Sequence, residues 1–557
     1  MEKVWLKSYA ANVPITIETS AYNSLVDVLE ESAERFANHT AIEFLGSEMS
    51  FAELNKKSEQ FASWLQQQGL KKGDPVLLMM PNTTQYMVCM FGTLKAGGVM
   101  VNCNPLYTAR ELEFQLNDSR AVVAVIASNF AHVLERVKSP YLKTVVVTGV
   151  GDMLGTFKGA LTNFVLRYVR KSIPKWHLPG HIPFKKAMAQ GAKQPFRKVT
   201  INREDLSFLQ YTGGTTGVPK SAMLSHDNML ANLMQVCAWT NGSLRDGQEI
   251  VVTALPLYHI FALTANCMLS IKIGARNVLI PDARDIPYLV KTIDKVNMTV
   301  FTGVNTLFNA LLNNNDFRKI DFSNLNFVLG GGTAIQQVVA DRWKELTKKP
   351  LIQAYGLTET SPAVTINPFD GRHVDGSIGL PIPSTDVVIR DNNGKDLTAN
   401  EIGEICVRGP QVMTGYWQKP EETANVFFDD GFLRTGDVGY MDEKGYIFLV
   451  DRQKDIILVS GFNVYPNEIE EVIAQHPGVR EVAAIGIPHE RTGEAVKLYV
   501  ERKDPKLTEE ALITFAKQYL TSYKVPRLVE FREELPKSNV GKLLRRQLRQ
   551  ESEQEEV

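Results

Sequence analysis

Apolar and polar positions in the first 150 residues alternate between two periods. Apolar residues recur at helical spacing over residues 24–36 and 51–69, which predicts two amphipathic helices. Short continuous apolar runs predict buried strands at residues 75–80, 121–126 and 144–148. Helices and strands in alternation indicate a layered α/β domain.

The pattern changes toward the C-terminus. Residues 205–450 are dense in strand and turn signals, and a domain boundary is expected at residues 451–454. Beyond it we predict strands near residues 456–459, 482–487 and 496–500 and helices at residues 466–475, 509–520 and 540–550. The predicted fold is therefore α/β multidomain, with a large N-terminal domain of mixed α/β subdomains (residues 1–450) and a small α+β C-terminal domain (residues 455–557). The acidic end, ESEQEEV, is expected to be disordered.

Length and composition agree with a soluble protein of several domains. A chain of 557 residues exceeds one ordinary core, and 44% hydrophobic with 22% charged residues is typical of globular proteins. The net charge of -1 argues against nucleic acid as a partner. The five cysteines are widely spaced, which excludes a close-spaced zinc or redox motif. Since neither a signal peptide nor an apolar run of roughly 18 residues is visible, we expect a cytoplasmic protein with reduced core thiols.

Residues 153–203 form a basic segment that contains no Asp or Glu and eleven Lys or Arg. Within it, LTNFVLRYVRKSIPKWHL places Leu161, Phe164, Val165, Tyr168 and Val169 at helical spacing next to a basic end. Such a helix suits the surface of an anionic membrane, so we predict peripheral association with the inner face of the cytoplasmic membrane. The alternative is a helix that packs on its own domain and exposes a solvated basic face.

The loop YTGGTTGVPK, residues 211–220, carries the strongest chemical signal. Glycines let backbone N–H groups turn toward an anion, threonine hydroxyls add donors, and Lys220 supplies a cation, so the loop suits polyphosphate. The spacing is not that of a Walker loop, because Val-Pro-Lys follows Gly217, and kinase signatures are missing. A flexible glycine-threonine turn is the alternative.

Six motifs in order make the chain resemble the adenylate-forming superfamily of acyl-CoA synthetases, firefly-type luciferases and peptide-synthetase adenylation domains. The resemblance extends over residues 22–549. The motifs are YTGGTTGVPK (211–220), QAYGLTET (353–360), LRTGD (433–437), DRQKD (451–455), SGFNVYP (460–466) and PKSNVGK (536–542). The resemblance implies an enzyme that uses ATP to activate a carboxylic acid. It also makes residues 451–454 the hinge of a mobile C-terminal domain.

The resemblance assigns a site for ATP and Mg²⁺. Glu359 and Thr212 would hold the metal, since hard oxygen ligands suit Mg²⁺. Tyr355 would stack on adenine, Asp437 would accept hydrogen bonds from the ribose hydroxyls, and Arg452 would contact ribose or phosphate oxygens. The other residues assigned to nucleotide binding are Gly213, Gly214, Thr215, Thr216, Gly217, Lys220, Gly331, Gly332, Gly356 and Thr358.

The resemblance assigns catalysis to Lys542, whose counterpart offsets charge between the substrate carboxylate and the α-phosphate. Glu359 would act with the metal. His259 resembles a gate beside the acyl carboxylate, although a lone His in an apolar stretch also suits a core position. Lys454 resembles the position about which the C-terminal domain rotates between two half-reactions. Gly461 resembles the small residue that lets the pantetheine of coenzyme A reach the acyl-adenylate.

Further stretches resemble bacterial long-chain fatty acyl-CoA synthetases, among them VNCNPLYTARELEFQLNDS, LPLYHIFALT and KDIILVSGFNVYPNEIEEVIAQHPGV. This implies a ligase that forms acyl-AMP from a long-chain fatty acid and then a thioester with coenzyme A, and it implies a homodimer. Candidate acyl-pocket segments are residues 255–263, 301–307 and 330–335. The alternatives are a ligase for medium-chain or aryl acids, an acyl-AMP ligase that ignores coenzyme A, and a membrane-surface protein with a nucleotide site.

Overall fold

The computed structural model describes residues 3–212, 219–240, 242–538 and 541–555. The α-helices are α1 (Leu25–Arg35), α2 (Phe51–Gln67), α3 (Thr84–Lys95), α4 (Ala109–Ser119), α5 (Ala131–Leu134), α6 (Thr156–Phe164), α7 (Phe184–Gly191), α8 (His226–Trp239), α9 (Ile260–Ala262), α10 (Leu269–Ile273), α11 (Ile286–Val296), α12 (Asn305–Leu312), α13 (Gln337–Thr347), α14 (Pro420–Val426), α15 (Pro466–Ala474), α16 (Glu509–Tyr519) and α17 (Arg545–Glu555).

The strands follow the same chain order. They are β1 (Thr40–Phe44), β2 (Ser47–Ser50), β3 (Pro75–Met79), β4 (Val99–Cys103), β5 (Val123–Ala127), β6 (Thr144–Thr148), β7 (Ile182–Pro183), β8 (Leu206–Thr212), β9 (Lys220–Ser225), β10 (Ile250–Thr253), β11 (Arg276–Leu279), β12 (Val300–Gly303), β13 (Phe327–Gly330), β14 (Ile352–Gly356), β15 (Ala363–Ile366), β16 (Leu380–Pro381), β17 (Asp386–Arg390), β18 (Gly403–Arg408), β19 (Leu433–Met441), β20 (Ile447–Arg452), β21 (Ile457–Val459), β22 (Phe462–Val464), β23 (Val479–His489), β24 (Gly493–Arg502) and β25 (Leu528–Arg532).

These strands form four sheets within the described residues. Sheet A has the order β16-β15-β14-β13-β12-β10-β11-β1-β2, and sheet B the order β7-β6-β5-β3-β4-β8-β9. Both have parallel centres with antiparallel strands at an edge. Sheet C, β17-β18-β19-β20, is antiparallel, and sheet D combines β22-β21-β24-β23 with β25 beside β24. The expected α/β multidomain class is confirmed.

Local sequence explains the first elements. Helix α1 begins after Ser24, whose hydroxyl accepts from the Asp27 amide while the Asp27 carboxylate accepts from the Ser24 amide. Ser50 and Glu53 form the same capping box at the start of α2. Such a box satisfies amides that the first helical turn leaves free. Strands β3, β4 and β5 are buried along their whole length, which explains their continuous apolar sequences.

The C-terminal part has a core of its own. Apolar residues of sheet D pack against α15 and α16, in a cluster separate from the large N-terminal core. The chain leaves sheet C at Arg452, passes through a 3₁₀ turn at Gln453–Asp455, and enters sheet D at Ile457. The chain thus changes sheet between Arg452 and Ile457, and the domain boundary at residues 451–454 stays a prediction. The predicted strands of this part are present, whereas the sequence pattern did not predict β22 and β25.

The prediction of a disordered acidic end is wrong for the residues that the structure describes. Helix α17 continues to Glu555, with Ser552 buried and Glu551 paired with Arg532 at 2.6 Å. The helix also begins five residues later than expected, because a β-bridge between Lys537 and Leu543 holds the preceding loop. The cysteines are free, as expected, and Cys89, Cys103, Cys267 and Cys406 are buried.

Candidate active site

A deep cleft separates the C-terminal part from sheets A and C. Its volume is about 1710 Å³, and both parts of the chain supply its walls. The N-terminal part contributes residues from α8, the β13–α13 loop, β14 and β19, and the C-terminal part contributes the segment from Ser538 to Arg549. Most predicted site residues therefore border a single cavity.

The predicted phosphate loop joins two paired strands. Strands β8 and β9 are antiparallel, with Thr212 opposite Lys220, and the Thr212 hydroxyl donates to the Lys220 carbonyl at 3.3 Å. Both residues line the cleft. Helix α8 starts directly after β9 with a capping box between Ser225 and Asn228. Outside the described residues lie Gly213, Gly214, Thr215, Thr216 and Gly217.

Tyr416 connects the loop lysine to the predicted metal ligand. Lys220 pairs with Glu422 of α14 and lies over the Tyr416 ring, 5.3 Å from its centroid. The Tyr416 hydroxyl donates to Glu359 Oε1 at 2.8 Å. Burial and the neighbouring Glu359 raise the pKa of Tyr416 well above its usual value, so the phenol stays protonated. Sequence reasoning missed Tyr416 and Glu422, because both are distant from Lys220 along the chain.

Tyr355, Asp437 and Arg452 form a buried group in the cleft. The Tyr355 hydroxyl donates to Asp437 Oδ2 at 2.7 Å, and Arg452 Nε lies 3.1 Å from Asp437 Oδ1. Sheet C causes this arrangement, because the register of β19 and β20 places Asp437 opposite Arg452. The Asp437 side chain is 2% exposed, so its charge depends on these partners. Burial, and next the charge of Asp437, raise the pKa of Tyr355 well above its usual value.

Glu404 of β18 holds the TGD turn. Its Oε1 accepts from the Gly436 amide at 3.0 Å, and its Oε2 accepts from Arg434 Nε at 3.1 Å. These bonds fix the backbone that carries Asp437. Nothing in the sequence around Glu404 indicated a part in the site, because the contact arises from the pairing of β18 with β19.

Lys542 reaches the cleft from a loop that touches the N-terminal part. The Thr306 hydroxyl donates to the Gly541 carbonyl at 3.1 Å, and the Lys542 amide donates to Ser538 Oγ at 3.1 Å. Gly541 has φ +76°, and a Cβ there would lie 2.4 Å from Thr306 Oγ1, so the contact requires glycine. Burial, and then the charge of Arg452, lower the pKa of Lys542 to about 7.

His259 lies in the same cleft and caps α9. Its Nδ1 accepts from the Phe261 amide at 3.3 Å. Burial, followed by the charge of Lys542, lowers the pKa of His259 to about 4, so the imidazole is neutral at pH 7. The structure therefore places a neutral imidazole in the wall of the cleft.

The predicted glycines allow close backbone contacts. Gly332 has φ +76°, and a Cβ on Gly331 would lie 3.0 Å from the Ala354 carbonyl oxygen. A Cβ on Gly356 would overlap the Pro362 carbonyl oxygen. Gly331, Gly332, Gly356 and Thr358 all border the cleft.

The predicted hinge residue, Lys454, and the residue predicted to let pantetheine pass, Gly461, lie apart. Lys454 borders the cleft, and burial lowers its pKa to about 8. Gly461 lies instead at the turn between β21 and β22 with φ +82°, and it is not among the residues that line the cleft. In the arrangement described here, the structure does not bring Gly461 to the site.

An apolar arm of the cleft extends between α8 and sheet A. Of the three predicted pocket segments, residues 255–263 contribute Phe261, residues 330–335 contribute Ile335, and residues 301–307 contribute Asn305 and Thr306, whereas Phe301 is buried against Trp343. Sequence reasoning missed several lining residues, although α8 is apolar on most of its surface. They are Asn232, Val236, Thr240, Leu269, Phe327, Leu329, Ile366 and Ile378.

These observations define a cleft between two parts of the chain, bordered by a buried tyrosine–aspartate–arginine group and by a lysine. The AMP-binding enzyme family model matches residues 29–417, and the AMP-binding enzyme C-terminal domain matches residues 468–542. The chain belongs to this family of adenylate-forming ligases, for which ATP and coenzyme A are substrates.

Relatives cover the chain from end to end. It is 56% identical to the long-chain-fatty-acid–CoA ligase of Escherichia coli O157:H7, over 99% of both chains. It is 39% identical to the Bacillus subtilis protein of the same name, over 99% of this chain and 98% of that one. An anthranilate CoA ligase in complex with anthranoyl-AMP superposes with a TM-score of 0.85 at 27% identity, covering 96% and 99% of the two chains. ATP-bound MatB from Rhodopseudomonas palustris superposes with a TM-score of 0.82 at 28% identity, covering 95% of this chain and 99% of that one.

The Asp437 group generates a test of nucleotide binding. Asp437→Asn keeps the side-chain shape but removes the charge that faces Arg452. Loss of a charge-assisted hydrogen bond, about 1.5–3 kcal/mol, is expected to raise the KM for ATP about 10- to 100-fold. The measurement is pyrophosphate release at saturating acid. Asp294→Asn, on the exposed face of α11, is the matched control and is expected to keep the wild-type KM. An unchanged KM in Asp437→Asn contradicts the assignment.

Proposed function

We propose that this enzyme is an AMP-forming ligase of long-chain fatty acids and coenzyme A. The observation that carries the proposal is the convergence on one cleft of the Tyr355–Asp437–Arg452 group, Lys542 and an apolar arm. Relatives at 39–56% identity over the whole chain carry the same activity in their names.

The cleft would accommodate ATP and the acyl chain in two distinct regions. ATP would place its ribose at Asp437 and its phosphates at the hairpin that ends in Lys220. The acyl chain would extend past Phe261 and His259 into the apolar arm, where each buried methylene contributes about 0.8 kcal/mol. The carboxylate would then lie near Lys542, at the junction of the two regions.

Magnesium fits two oxygen donors that border the cleft. The Glu359 carboxylate and the Thr212 hydroxyl both line the cleft, and Mg²⁺ prefers one or two such oxygens together with substrate phosphates. When bound, the ion would neutralise charge on the triphosphate. Tyr416 holds the Glu359 carboxylate by its hydrogen bond, and thereby orients the ligand.

The first half-reaction follows from the position of Lys542. A carboxylate oxygen attacks the α-phosphorus, the bond from this phosphorus to the bridging oxygen breaks, and pyrophosphate leaves. Two anions approach each other in this step, so the Lys542 ammonium offsets their repulsion. Binding of these anions favours the charged form of a lysine whose pKa burial has lowered to about 7.

The second half-reaction requires another arrangement of the domains. The coenzyme A sulfur attacks the acyl carbonyl carbon of acyl-AMP, and AMP leaves. We place the hinge at residues 451–454 and the domains at residues 1–450 and 455–557. Rotation about Lys454 would remove Lys542 from the cleft and bring the β21–β22 turn, with Gly461, toward it. This accounts for the position of Gly461 outside the cleft.

A substrate panel tests the proposed reaction. Pyrophosphate release and thioester formation are measured with C4 to C18 acids and coumarate, with and without coenzyme A. We expect the highest kcat/KM with long-chain acids, because only they fill the apolar arm, and thioester only with coenzyme A. Highest activity with coumarate or short acids contradicts the long-chain proposal. Equal acyl-AMP accumulation with and without coenzyme A contradicts the ligase assignment.

Substitution of Lys542 separates the half-reactions. Lys542→Ala is expected to abolish acyl-AMP formation, by at least about 100-fold as for loss of one stabilising donor. Thioester formation from supplied acyl-AMP is expected to persist. In the wild type, kcat/KM for adenylation should fall as the pH rises through about 7, because the free enzyme loses the Lys542 cation. Lys542→Arg should remove this decline, since arginine stays charged. Equal loss of both half-reactions in Lys542→Ala contradicts the assignment.

We also propose that the basic segment docks the enzyme on an anionic membrane. Helix α6 continues as a π-helical turn, Val165–Val169, and exposes an apolar ridge on one side. Exposed fractions are 83% for Phe157, 51% for Leu161, 55% for Phe164, 61% for Tyr168 and 65% for Val169. A helix that merely packed on its own domain would bury this ridge.

The opposite face of α6 makes the contact with the protein. A Cβ on Gly159 would overlap the Gly151 carbonyl oxygen, and Asn163 bonds to the Gly151 amide and to Asp152. The small and polar face therefore packs inward, while the apolar ridge and the exposed Arg167, Arg170 and Lys171 face outward. Because the apolar side of α6 faces outward and the polar side faces the protein, the helix suits a lipid surface better than water.

No helix of the described residues is long and apolar enough to cross a bilayer. The expected homodimer stays a prediction.

Liposome sedimentation tests the membrane proposal. Neutralising Arg167, Arg170 and Lys171 together should weaken binding to vesicles of phosphatidylcholine with anionic lipid, since each basic residue contributes about 1 kcal/mol. Phe164→Ser should weaken binding as well. Neutralising Lys344, Lys348 and Lys349, which lie at the end of α13, is the control for net charge. Unchanged vesicle binding in the Arg167, Arg170 and Lys171 variant and in Phe164→Ser contradicts the proposal.

A further inference from the structure

We infer that Glu471 is a latch that holds the C-terminal domain in the acyl-AMP-forming arrangement, by capping helix α13 of the N-terminal domain. Glu471 Oε1, on α15, accepts a hydrogen bond from the Gln337 amide at 3.0 Å. Gln337 is the first residue of α13. The inference rests on the proposed two-step function, because it assigns the contact to one half-reaction.

Helix α13 lacks a side-chain cap of its own. Its N-cap residue, Gln336, makes no side-chain capping hydrogen bond. The first amides of a helix have no intrahelical acceptor and carry partial positive charge, so a carboxylate there is stabilising. Glu471 supplies that carboxylate from the other domain. The helix end is therefore satisfied by a group that leaves if the C-terminal domain rotates.

The latch lies beside the contact that delivers Lys542. Thr306 binds the Gly541 carbonyl, and Asn309 Nδ2 donates to the Arg480 carbonyl at 3.3 Å. Thr306 and Asn309 lie on α12, and a hydrogen bond from the Gln336 amide to Asn305 ties the start of α13 to the same surface. Unlike these neutral contacts, the Glu471 bond has a charged acceptor, which makes it stronger than a neutral hydrogen bond.

Burial raises the pKa of Glu471, and Asp341 adds to the effect, while the bond from Gln337 opposes it. The carboxylate thus incurs a desolvation cost in this arrangement that the cap offsets. A latch of this kind favours closure without locking it, which suits a domain that must rotate in each turnover.

Two complementary variants test the latch. Glu471→Ala removes the acceptor. Gln337→Pro removes the donor without breaking the helix, because proline is tolerated at the first helical position. Gln336 already has φ -64° and ψ 135°, the backbone that a residue before proline prefers. Gln337→Ala keeps the amide and measures the loss of the Gln337 side-chain bond to Asp341.

The readout is the ratio of the two half-reactions. Glu471→Ala and Gln337→Pro should each slow acyl-AMP formation about fivefold, which is the effect of losing one helix cap. Thioester formation from supplied acyl-AMP should be unchanged or faster. The variant that combines Glu471→Ala with Gln337→Pro should be no slower than either single variant, because both substitutions remove the same bond. Glu471→Gln, which keeps an acceptor oxygen, should lose less than Glu471→Ala.

Controls separate the latch from folding and from the proposed function. Glu510→Ala, on the exposed face of α16, should match the wild type in both half-reactions. Equal slowing of both half-reactions in Glu471→Ala and Gln337→Pro, or additive effects in the double variant, overturns the latch. If the wild type itself forms no acyl-AMP from fatty acids, the proposed function fails, which is a different result.

Discussion

The pairing of β19 with β20 is the constraint on which the site and the domain arrangement both depend. It places Asp437 opposite Arg452, and the low exposure of Asp437 makes this partner necessary. Arg452 is also the last residue of β20, two positions before Lys454. The partner of Asp437 and the change from sheet C to sheet D are therefore parts of one short segment. In the proposed function, a nucleotide bound at Asp437 would act on the chain next to this change of sheet.

Charge is distributed unevenly across this junction. Burial lowers the pKa of Lys542 most, and the charges of Arg452, Lys454 and Arg545 lower it further, whereas Asp437 opposes them. Burial lowers the pKa of Lys454 as well. Arg452 and Arg545 have carboxylate partners in Asp437 and Glu470, which offset part of this repulsion. In the proposed function, the phosphates and the carboxylate of the substrates would offset the rest and thereby favour the arrangement that joins them.

The sequence predicted the fold class, most strands and the motifs, because hydrophobic period and glycine spacing are local properties. Tyr355, Glu359, Asp437, Arg452 and Lys542 all border the cleft. The sequence did not predict residues whose contacts arise between distant parts of the chain. Glu404 depends on the register of β18, Tyr416 bonds to Glu359, and Glu471 bonds to the N-terminal part. The helical end of α17 escaped because its acidic composition concealed contacts such as Glu551 with Arg532.

The contact of Gly541 with Thr306 has a consequence for fidelity. The Thr306 hydroxyl meets the Gly541 backbone directly, and a Cβ on Gly541 would overlap this hydroxyl. A displacement of the C-terminal part by one methyl diameter would break the bond and, in the proposed function, move Lys542 away from the reacting atoms. In the proposed function, this sensitivity would disfavour partly closed states in which the acyl-adenylate meets water. The absence of a side chain at Gly541 thus makes the contact sensitive to the position of the C-terminal part.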